Sequence, residues 1–255
     1  MKKLSIITIN YNNKKGLYKT ILSVKSQDTN LFEYIIVDGA SDDGSIELIK
    51  ESNNIVDKWV SEKDGGVYCA MNKGVALSSS DYCLFLNSGD CLYNSKVISS
   101  LIPLLDSGED FIQGDELVTR NGKPFYYYKS PKNVSLLFFV HSSLRHQASI
   151  ISTKVLRELK YDEKYKIASD WKFGIESLII KNCSYKSIPL LIDSFDGRGI
   201  SNKRYTELKD ENLMILKELF PKRVLTDYLK DRSLLKKILD RLNFYIVRLY
   251  VLTKF

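Results

Sequence analysis

Short apolar runs alternate with amphipathic stretches through the first half of the chain. The run Leu4–Ile9 is rich in β-branched residues and has no charge, which is typical of a strand covered on both faces. Apolar residues at helical spacing follow over about Lys14–Ser26, and Asn12 or Asn13 is placed to cap that helix. Further strands are predicted at Tyr34–Val37, Trp59–Val60 and Tyr82–Leu86, and further helices around Ile46–Ile49 and at Gly66–Leu77. Strand and helix in turn predict an α/β fold with a mainly parallel central sheet flanked by helices.

The second half of the chain changes character. Two strand-like segments, Asp110–Thr119 and Lys123–Lys129, flank an Arg-Asn-Gly turn and predict a hairpin. A strand near Ala148–Ser152, a helix near Asp170–Lys181 and a strand at Tyr185–Ile192 follow. From about Arg204 the pattern is helical to the end of the chain, with a break at Pro221.

The composition indicates a globular protein kept in a reducing compartment. Apolar residues make up 44% of the 255 residues, which is enough for one large α/β domain. The four cysteines have neither C-x-x-C nor zinc-site spacing, so we expect free thiols and a cytoplasmic protein. No window holds about 18 uncharged apolar residues, and the apolar stretch at the N-terminus is too short for a signal peptide.

The net charge of +7 is concentrated at the C-terminus. Residues 203–255 contain 13 Lys and Arg against 7 Asp and Glu, whereas the first 202 residues contain 25 against 24. A nucleic-acid binder usually spreads its basic residues over a folded face, so no nucleic-acid partner is expected. Within residues 230–255, apolar residues recur at helical spacing between basic ones, as in a helix that lies on an anionic membrane. Packing on the body or on a second subunit would use the same pattern.

Polar residues follow three of the predicted strands. Thr8 and Asn10 with Tyr11 follow the first strand, Asp38 with Gly39 and Ser41 follows the second, and Asn87 to Asp90 follow the fourth. The carboxyl ends of parallel strands meet at one edge of the sheet, where open α/β sheets bind ligands. The first strand is followed by neither G-x-G-x-x-G nor a P-loop, which argues against a dehydrogenase and a P-loop NTPase. Carboxylates at this edge can accept hydrogen bonds from a base or ribose, or hold a cation that bridges a diphosphate.

Six motifs in order carry a family resemblance: SIITINYN, IIVDGASDDGS, EKDGGVYCAMNKGVALSSSDYCLFLNSGD, RHQASI, IASDWKF and GRGIS. Over about residues 3–201 the chain resembles the family 2 glycosyltransferases, inverting enzymes with the GT-A fold that include many builders of bacterial polysaccharides. The resemblance implies a GT-A domain over residues 1–202, with a nucleotide-binding half (1–95) and an acceptor-side half (96–202). A basic, amphipathic helical tail (203–255) would follow.

The resemblance implies a role for each matching residue of the donor pocket. Asp38 matches the residue that binds the nucleotide base, and Thr8 and Asn10 match the loop that lines the same pocket. Asp64 matches the acidic position near the nucleotide and the donor sugar, and Lys73 follows on the helix that borders it. Simpler roles stay open for the last two: a loop residue for Asp64 and a solvated helix residue for Lys73.

The segment Asn87-Ser88-Gly89-Asp90 lies where the family has D-x-D or a variant of it. Asn87 or Ser88 replaces the first aspartate, so Asp90 is the only carboxylate of the turn. One carboxylate together with two phosphate oxygens and water is an ordinary site for Mg²⁺, and the same donors suit Mn²⁺. The resemblance therefore implies a divalent metal cofactor (Mn²⁺ or Mg²⁺) that Asp90 binds together with the nucleotide.

On the acceptor side, Asp170 matches the catalytic base, and His146 with Gln147 matches a frequent H-Q pair. An inverting transfer is a direct displacement, so the acceptor hydroxyl loses its proton to a base on the face opposite the nucleotide. Asp170 could instead cap its helix, and His146 could be a hydrogen-bonded structural histidine.

These features predict an inverting, metal-assisted glycosyltransferase of surface polysaccharide assembly. Its donor would be a nucleotide-diphosphate sugar, with UDP-sugars favoured by the resemblance and GDP- and dTDP-sugars left open. Its acceptor would be a glycan or lipid-linked hydroxyl, which suits a peripheral location on the inner face of the cytoplasmic membrane; a homo-oligomer stays open. The alternative is a catalytically silent nucleotide-sugar-binding or scaffold subunit of an assembly complex, which would have no reason to keep both Asp90 and Asp170.

Overall fold

A computed structural model describes residues 2–120, 122–196 and 204–230 of the chain. Its strands are β1 (Leu4–Asn10), β2 (Phe32–Asp38), β3 (Lys58–Ser61), β4 (Tyr82–Phe85), β5 (Cys91–Leu92), β6 (Phe111–Arg120), β7 (Lys123–Tyr128), β8 (Ser149–Ser152) and β9 (Tyr185–Asp196). Its helices are α1 (Lys14–Lys25), α2 (Ser45–Glu51), α3 (Val67–Leu77), α4 (Val97–Leu101), α5 (Leu136–His141), α6 (Thr153–Leu159), α7 (Ser169–Ile175), α8 (Tyr205–Leu219) and α9 (Lys222–Lys230). A π-helical turn, Glu176–Ile180, continues α7.

One sheet connects the nine strands of the described residues, in the order β3-β2-β1-β4-β8-β6-β9-β5, with β7 paired to β6. The first four strands are parallel, because helices between them return the chain to the same edge. β8 is antiparallel to both β4 and β6, whereas β9 is parallel to β6. The predicted α/β fold is confirmed, and its second half makes the sheet mixed.

Two apolar clusters cover the two faces of the sheet. Ile7 of β1 and Ile35 of β2 belong to one cluster with residues of α3, α6, α7 and α8. Ile6 and Ile36, the adjacent residues of the same strands, belong to the other cluster with residues of α1, α2 and α4. Successive residues of a strand point to opposite faces. Strands that are covered on both faces therefore show the continuous apolar runs from which they were predicted.

The start of α1 is fixed by the predicted cap. Asn13 accepts a hydrogen bond from the backbone N–H of Gly16 at 3.1 Å, and α1 begins at the next residue, Lys14. On the opposite face, α3 lies close to β1, because a Cβ atom on Gly74 would stand only 2.4 Å from Cγ2 of Ile7. Both helices are thus positioned against the strands whose ends carry the predicted site.

The described part of the predicted tail packs on the body. Ile215 of α8 is fully buried in the cluster that contains α7. Glu218 of α8 accepts a 2.6 Å hydrogen bond from Nζ of Lys172, which is itself buried in α7. The predicted boundary at residue 202 lies outside the described residues. Residues 231–255, which carry most of the amphipathic pattern, lie outside the described part of the chain.

A carboxylate of α8 holds the loop that leads into α7. Glu211 accepts hydrogen bonds from the backbone N–H groups of Lys166 (2.8 Å), Ile167 (2.9 Å) and Ala168 (2.9 Å). These three residues immediately precede the start of α7 at Ser169. α8 therefore fixes the backbone that carries the predicted base, Asp170.

Replacing Glu211 should destabilise the protein. Glu211→Ala leaves three backbone N–H groups without their charged acceptor, so the free energy of unfolding should fall by about 1–3 kcal/mol in urea titrations. Asp210→Ala is the matched control, because Asp210 is the adjacent exposed carboxylate of the same helix. Equal effects of the two substitutions would show that the contact with the α7 loop contributes nothing.

Candidate active site

The ends of β1, β2 and β4 bring three predicted donor residues together. Asn10 and Asp38 are paired residues of β1 and β2, and Nδ2 of Asn10 donates to Oδ1 of Asp38 at 2.7 Å. Ser88, which follows β4, donates to Oδ1 of Asn10 at 2.8 Å. Asn10 thus connects the loops that follow three neighbouring parallel strands.

Asp38 is fully buried and surrounded by donors. Besides Asn10, it accepts hydrogen bonds from the hydroxyl and backbone N–H of Ser41 at 2.6 and 2.9 Å and from the hydroxyl of Ser61 at 2.7 Å. Burial alone would raise the pKa of Asp38, but these hydrogen bonds outweigh it and hold that pKa below its usual value. A nucleotide base that bonds Asp38 would therefore replace one of these donors.

The loops after β1 and β2 are interlocked and strained. The backbone N–H of Asn12 donates to the Ser41 hydroxyl at 2.8 Å, and Oδ1 of Asn12 accepts from the backbone N–H of Asp42 at 2.9 Å. Asn12 and Ala40 both have left-handed backbones, with φ of 46° and 63°. Such conformations in non-glycine residues cost about 1 kcal/mol or more and cluster at binding sites.

An exposed aromatic ring stands beside these loops. Tyr11 is 68% exposed, and Cδ2 of its ring lies 3.0 Å from where a Cβ atom on Gly39 would stand. Gly39 follows Asp38 directly, so the ring is next to the predicted base-binding residue. The sequence placed Tyr11 with Thr8 and Asn10 at this strand end, but the family resemblance gave Tyr11 no role.

The other predicted donor residues are less closely connected. Thr8 is fully buried, with its hydroxyl 3.1 Å from the Tyr34 hydroxyl. Asp64 accepts a 2.9 Å hydrogen bond from a backbone N–H two residues later and lies partly exposed near the Gly39 loop. Lys73 forms a 2.8 Å ion pair with Glu62, whose hydrogen bond raises the pKa of the lysine. Asp64 is thus the member of this group that is best placed to reach a ligand.

The turn after β4 is tied to α1. The hydroxyl of Thr20 accepts from the backbone N–H of Gly89 at 2.9 Å and lies 2.8 Å from the carbonyl oxygen of Asp90. Nδ2 of Asn13 donates to the carbonyl oxygen of Ser88 at 2.9 Å. Gly89 has φ of 112°, a conformation that strongly favours glycine. These contacts fix the direction in which the Asp90 side chain leaves the turn.

Asp90 fits a metal ion only together with a ligand. Its side chain is buried, and burial raises its pKa to about 6 against the opposing charge of His146 and a hydrogen bond from Gln147. Among the residues that the structure describes, no group of three or more His, Cys, Asp or Glu could hold a metal ion. One carboxylate suits a hard cation when phosphate oxygens and water complete its shell.

Asp170 is a partly exposed carboxylate with fixed partners. Its side chain is 25% exposed, and Oδ1 lies 2.9 Å from both the Tyr68 hydroxyl and the backbone nitrogen of Trp171. The Tyr68 hydroxyl is also 2.7 Å from the carbonyl oxygen of Ile167, and its single proton serves one of these acceptors at a time. Tyr68 can thus donate to ionised Asp170, or accept from protonated Asp170 while donating to Ile167. Asp170 lies within the first turn of α7, and the cap position belongs to Ala168.

His146 links Asp170 to the turn after β4. Its Nδ1 is 3.4 Å from Oδ2 of Asp170, and its Nε2 is 3.2 Å from Nδ2 of Asn87. Burial would lower the pKa of His146, but hydrogen bonding to Asp170 and the charges of Asp170, Asp90 and Glu116 outweigh it and raise that pKa. A 180° rotation of the Asn87 amide would let its Oδ1, which is buried without a partner, accept from Nε2–H. Both N–H groups of an imidazolium then have acceptors.

A buried carboxyl pair that the sequence did not reveal lies below His146. Glu116 and Asp193 are paired residues of β6 and β9, both are buried, and none of their four side-chain oxygens has a hydrogen-bond partner among the described residues. Arg145 approaches with its Nε 3.6 Å from Oε1 of Glu116, while its guanidinium lies 4.9 Å from the centre of the Tyr128 ring. Burial raises the pKa of both carboxyls, the charge of Glu116 further raises the pKa of Asp193, and the charge of Asp90 raises the pKa of both, while Arg145 opposes these effects. The pair therefore holds a proton more tightly than exposed carboxyls do.

The family model described as Glycosyl transferase family 2 matches residues 5–170, about two thirds of the chain. The chain therefore belongs to the family 2 glycosyltransferases and is a glycosyltransferase, which confirms the family resemblance. The match covers β1 to the start of α7, and so includes all the site residues described above except Trp171 and Asp193.

Curated relatives of this chain are named as glycosyltransferases, one of them uncharacterized. The uncharacterized glycosyltransferase Rv1514c of Mycobacterium tuberculosis is 28% identical over 215 residues, covering 79% of this chain and 78% of that protein. The poly(ribitol-phosphate) beta-N-acetylglucosaminyltransferase TarP of Staphylococcus aureus is 28% identical over 200 residues, covering 73% of this chain and 61% of that protein. A PGL/p-HBAD biosynthesis glycosyltransferase of M. tuberculosis is 26% identical over 177 residues, covering 67% and 68%.

Solved structures share the fold. S. aureus TarS in complex with UDP-GlcNAc has a TM-score of 0.65 at 18% identity, over 89% of this chain and 70% of that chain. The mannosyltransferase PcManGT from Pyrobaculum calidifontis, in complex with GDP-Man and Mn²⁺, has a TM-score of 0.59 at 14% identity, over 79% and 59%. The predicted GT-A fold is confirmed by these neighbours. No helix among the described residues is long and apolar enough to cross a membrane, and the GRGIS motif lies outside those residues.

Because Asp90 is buried, the metal-free protein should be less stable at neutral pH, where this side chain is ionised, than at about pH 4. Its pKa is about 6 in the folded protein against a usual value of 3.8, so the folded state binds the proton more tightly. Stability is therefore lost as pH rises between about 4 and 6, by roughly 3 kcal/mol in all.

Asp90→Asn removes this titration. In EDTA the variant should be more stable than wild type by about 1–3 kcal/mol at pH 7.5, and the gain should shrink towards pH 4. Urea unfolding at the two pH values measures the effect, and Asp81→Asn, at an exposed site before β4, is the control. A gain that does not change with pH would contradict the raised pKa.

Proposed function

We propose that this glycosyltransferase inverts the anomeric centre as it moves a sugar from a nucleotide-diphosphate donor to a hydroxyl of a glycan or lipid-linked acceptor. The observation that carries the proposal is the partly exposed Asp170, which His146 connects to the turn bearing Asp90. A UDP-sugar donor is favoured because TarS, a neighbour in fold, was solved with UDP-GlcNAc. Relatives named as a poly(ribitol-phosphate) beta-N-acetylglucosaminyltransferase and a PGL/p-HBAD biosynthesis glycosyltransferase support a surface-glycan or glycolipid acceptor.

In the proposed donor pocket, the nucleoside lies across the ends of β1 and β2. The exposed ring of Tyr11 offers a stacking surface for the base, since any base has a π-face. Asn10 and Asp38 provide polar groups at the floor, and one of the donors to Asp38 gives way to the base. Asp64, beside the same loop, then faces the ribose or the sugar.

The diphosphate is proposed to lie at the turn after β4, near Asn87 and Ser88. Asp90 would hold a divalent ion, Mn²⁺ or Mg²⁺, together with the diphosphate oxygens, and the ion would offset the charge of the leaving group. PcManGT, a neighbour in fold, was solved with Mn²⁺. Asn87 and Ser88 add neutral polar groups to the turn, so the charge at this position comes from Asp90 alone.

Asp170 is proposed as the general base. The acceptor oxygen bonds to the anomeric carbon while its proton passes to Oδ of Asp170, and the bond to the diphosphate breaks with its electron pair on the leaving oxygen. Tyr68 can then accept a hydrogen bond from protonated Asp170. His146, as an imidazolium, keeps Asp170 ionised beforehand, and Gln147 lies beside it on the proposed acceptor side.

A lipid-linked acceptor would place this protein at the cytoplasmic face of a membrane. We propose that residues 230–255 form a peripheral anchor there, on the strength of their basic, amphipathic pattern. The predicted domain of residues 1–202 would then present its site to a lipid-linked acceptor. The alternative of a catalytically silent subunit is not favoured, because such a subunit would have no reason to keep both Asp90 and Asp170.

Asp170→Asn should stop transfer and leave donor binding almost unchanged. Asparagine keeps the shape and can accept from Trp171 N–H, but it takes no proton from the acceptor. Turnover with a competent acceptor extract should fall about 10²–10⁴-fold, while nucleotide affinity stays within about twofold. Glu163→Gln, which neutralises an exposed carboxylate in the loop before α7, is the control. Loss of donor binding would move Asp170 into the nucleotide pocket, and turnover within about threefold of wild type would exclude it as the base.

Asp90→Asn should abolish the metal dependence of nucleotide binding. Thermal shifts with UDP, GDP and dTDP, each with and without Mn²⁺, first identify the base, since a ligand at 100 times its Kd stabilises by about 2.7 kcal/mol. Calorimetry with the preferred nucleotide then compares wild type, Asp90→Asn and Asp81→Asn. Wild type and the control should bind at least about tenfold more tightly with Mn²⁺. An equal gain in Asp90→Asn would reject Asp90 as the metal ligand.

A further inference from the structure

One side of α1 exposes basic and apolar residues together. Tyr18 is 52% exposed and Leu22 is 46% exposed, although both are large and one is aliphatic. The exposed Lys15, Lys19 and Lys25 alternate with them along the helix. Positions 15, 18, 19, 22 and 25 recur at helical spacing, so they share one face, called here the α1 surface.

A neighbouring segment extends the α1 surface. Leu92 donates its backbone N–H to Oγ of Ser23 at 3.4 Å, and Nε2 of Gln27 donates to the carbonyl oxygen of Asn94 at 2.7 Å. These contacts hold the segment after β5 against α1. There Tyr93 is 38% exposed, and Lys96 is exposed three residues later.

The charge of this surface is of one sign. Neither residues 14–27 nor residues 91–105 contain an aspartate or a glutamate. None of the lysines of the α1 surface forms an ion pair within the described ranges, whereas Lys58, Lys73 and Lys172 pair with glutamates. Unpaired lysines interleaved with exposed Tyr and Leu combine electrostatic attraction with apolar area, which scattered surface residues do not.

We propose that the α1 surface docks on an anionic lipid bilayer. A helix lying flat, with lysines reaching the headgroups and Tyr and Leu entering the interface, matches the chemistry of such a surface. A duplex nucleic acid would gain nothing from the exposed Leu22, and the near-neutral body argues against it. An anionic lipid bilayer is thus the partner that fits both the positive charge and the apolar area of the α1 surface.

Docking would bring the sugar site to the membrane. Asn13 and Thr20 bond the turn that carries Asp90 directly to α1, and a helix with its side chains is about 10 Å across. The turn would therefore lie within roughly one helix diameter of the headgroups. A position close to the headgroups helps transfer only if the acceptor is lipid-linked, as proposed above, whereas the docking itself does not depend on that acceptor.

The first test reverses charge on the α1 surface of the full chain. The double variant Lys15→Glu/Lys19→Glu should bind vesicles of phosphatidylcholine with 30 mol% (about one third) phosphatidylglycerol at least about 25-fold more weakly than wild type, since each lysine contributes roughly fivefold. Lys132→Glu/Lys154→Glu makes the same charge change at exposed sites elsewhere and should bind nearly as wild type. Equal losses in both variants, or none in either, would overturn the proposal and leave the C-terminal tail as the membrane contact.

A second measurement does not depend on variants. Acetylation of wild-type lysines, followed by mass spectrometry, should show Lys15 and Lys19 protected at least about fivefold by anionic vesicles but not by pure phosphatidylcholine, with Lys132 and Lys154 unprotected. Protection should disappear in about 1 M salt, where charges are screened within about 3 Å. Lysines of the α1 surface that stay reactive on bound vesicles would reject the proposal. Neither measurement uses a nucleotide or turnover, so a failure of the docking proposal can be distinguished from a failure of the proposed sugar transfer.

Discussion

The contact between His146 and Asp170 is the interaction on which the rest of the site depends. The imidazole joins the carboxylate of α7 at 3.4 Å to the turn after β4, through Asn87 at 3.2 Å. The hydrogen bond to Asp170 and the charge of Asp170, with further charge from Asp90 and Glu116, outweigh burial and raise the pKa of His146. A positive imidazole in this place would keep the proposed base, Asp170, ionised and would couple it electrostatically, as one unit, to the turn that carries Asp90.

Maintaining this unit requires charge to be buried. Glu116 and Asp193 lie fully inside the sheet without hydrogen-bond partners among the described residues, and Arg145 approaches Glu116 with its Nε 3.6 Å from Oε1. Buried carboxyls without donors destabilise a fold. Burial raises the pKa of both carboxyls, so protonation removes part of the buried charge. Sites that bind charged ligands commonly give up stability in this way.

The first half of the fold was predictable because its local signals agree with one another. Ile6 and Ile7 face opposite clusters, so β1 is apolar throughout, and Asn13 caps α1 as its position predicted. The order of the later strands could not be read in the same way. β8 lies between β4 and β6. Its pairing with β4 joins strands that are more than 60 residues apart in sequence, so no local pattern predicts it.

The site was predictable where a residue follows a strand end or a motif. Asn10, Asp38 and Ser88 come together as the parallel sheet requires. Residues that support the site from a distance gave no local signal. The sequence pattern predicts that Tyr68 is a buried apolar position of its helix and that Glu211 is an exposed charged residue of a solvated helix. Only the fold shows that one bonds Asp170 and the other holds the loop before it.

The stereochemistry of the first product tests the central claim most directly. A nucleotide sugar chosen by its affinity can be incubated with the enzyme and any acceptor, or water alone, and followed by proton NMR before the released sugar mutarotates. Direct displacement predicts that the first anomer formed is opposite to that of the donor, and that Asp170→Asn forms neither anomer at a comparable rate. A product with the donor's own configuration would contradict single displacement and the role of Asp170 as its base.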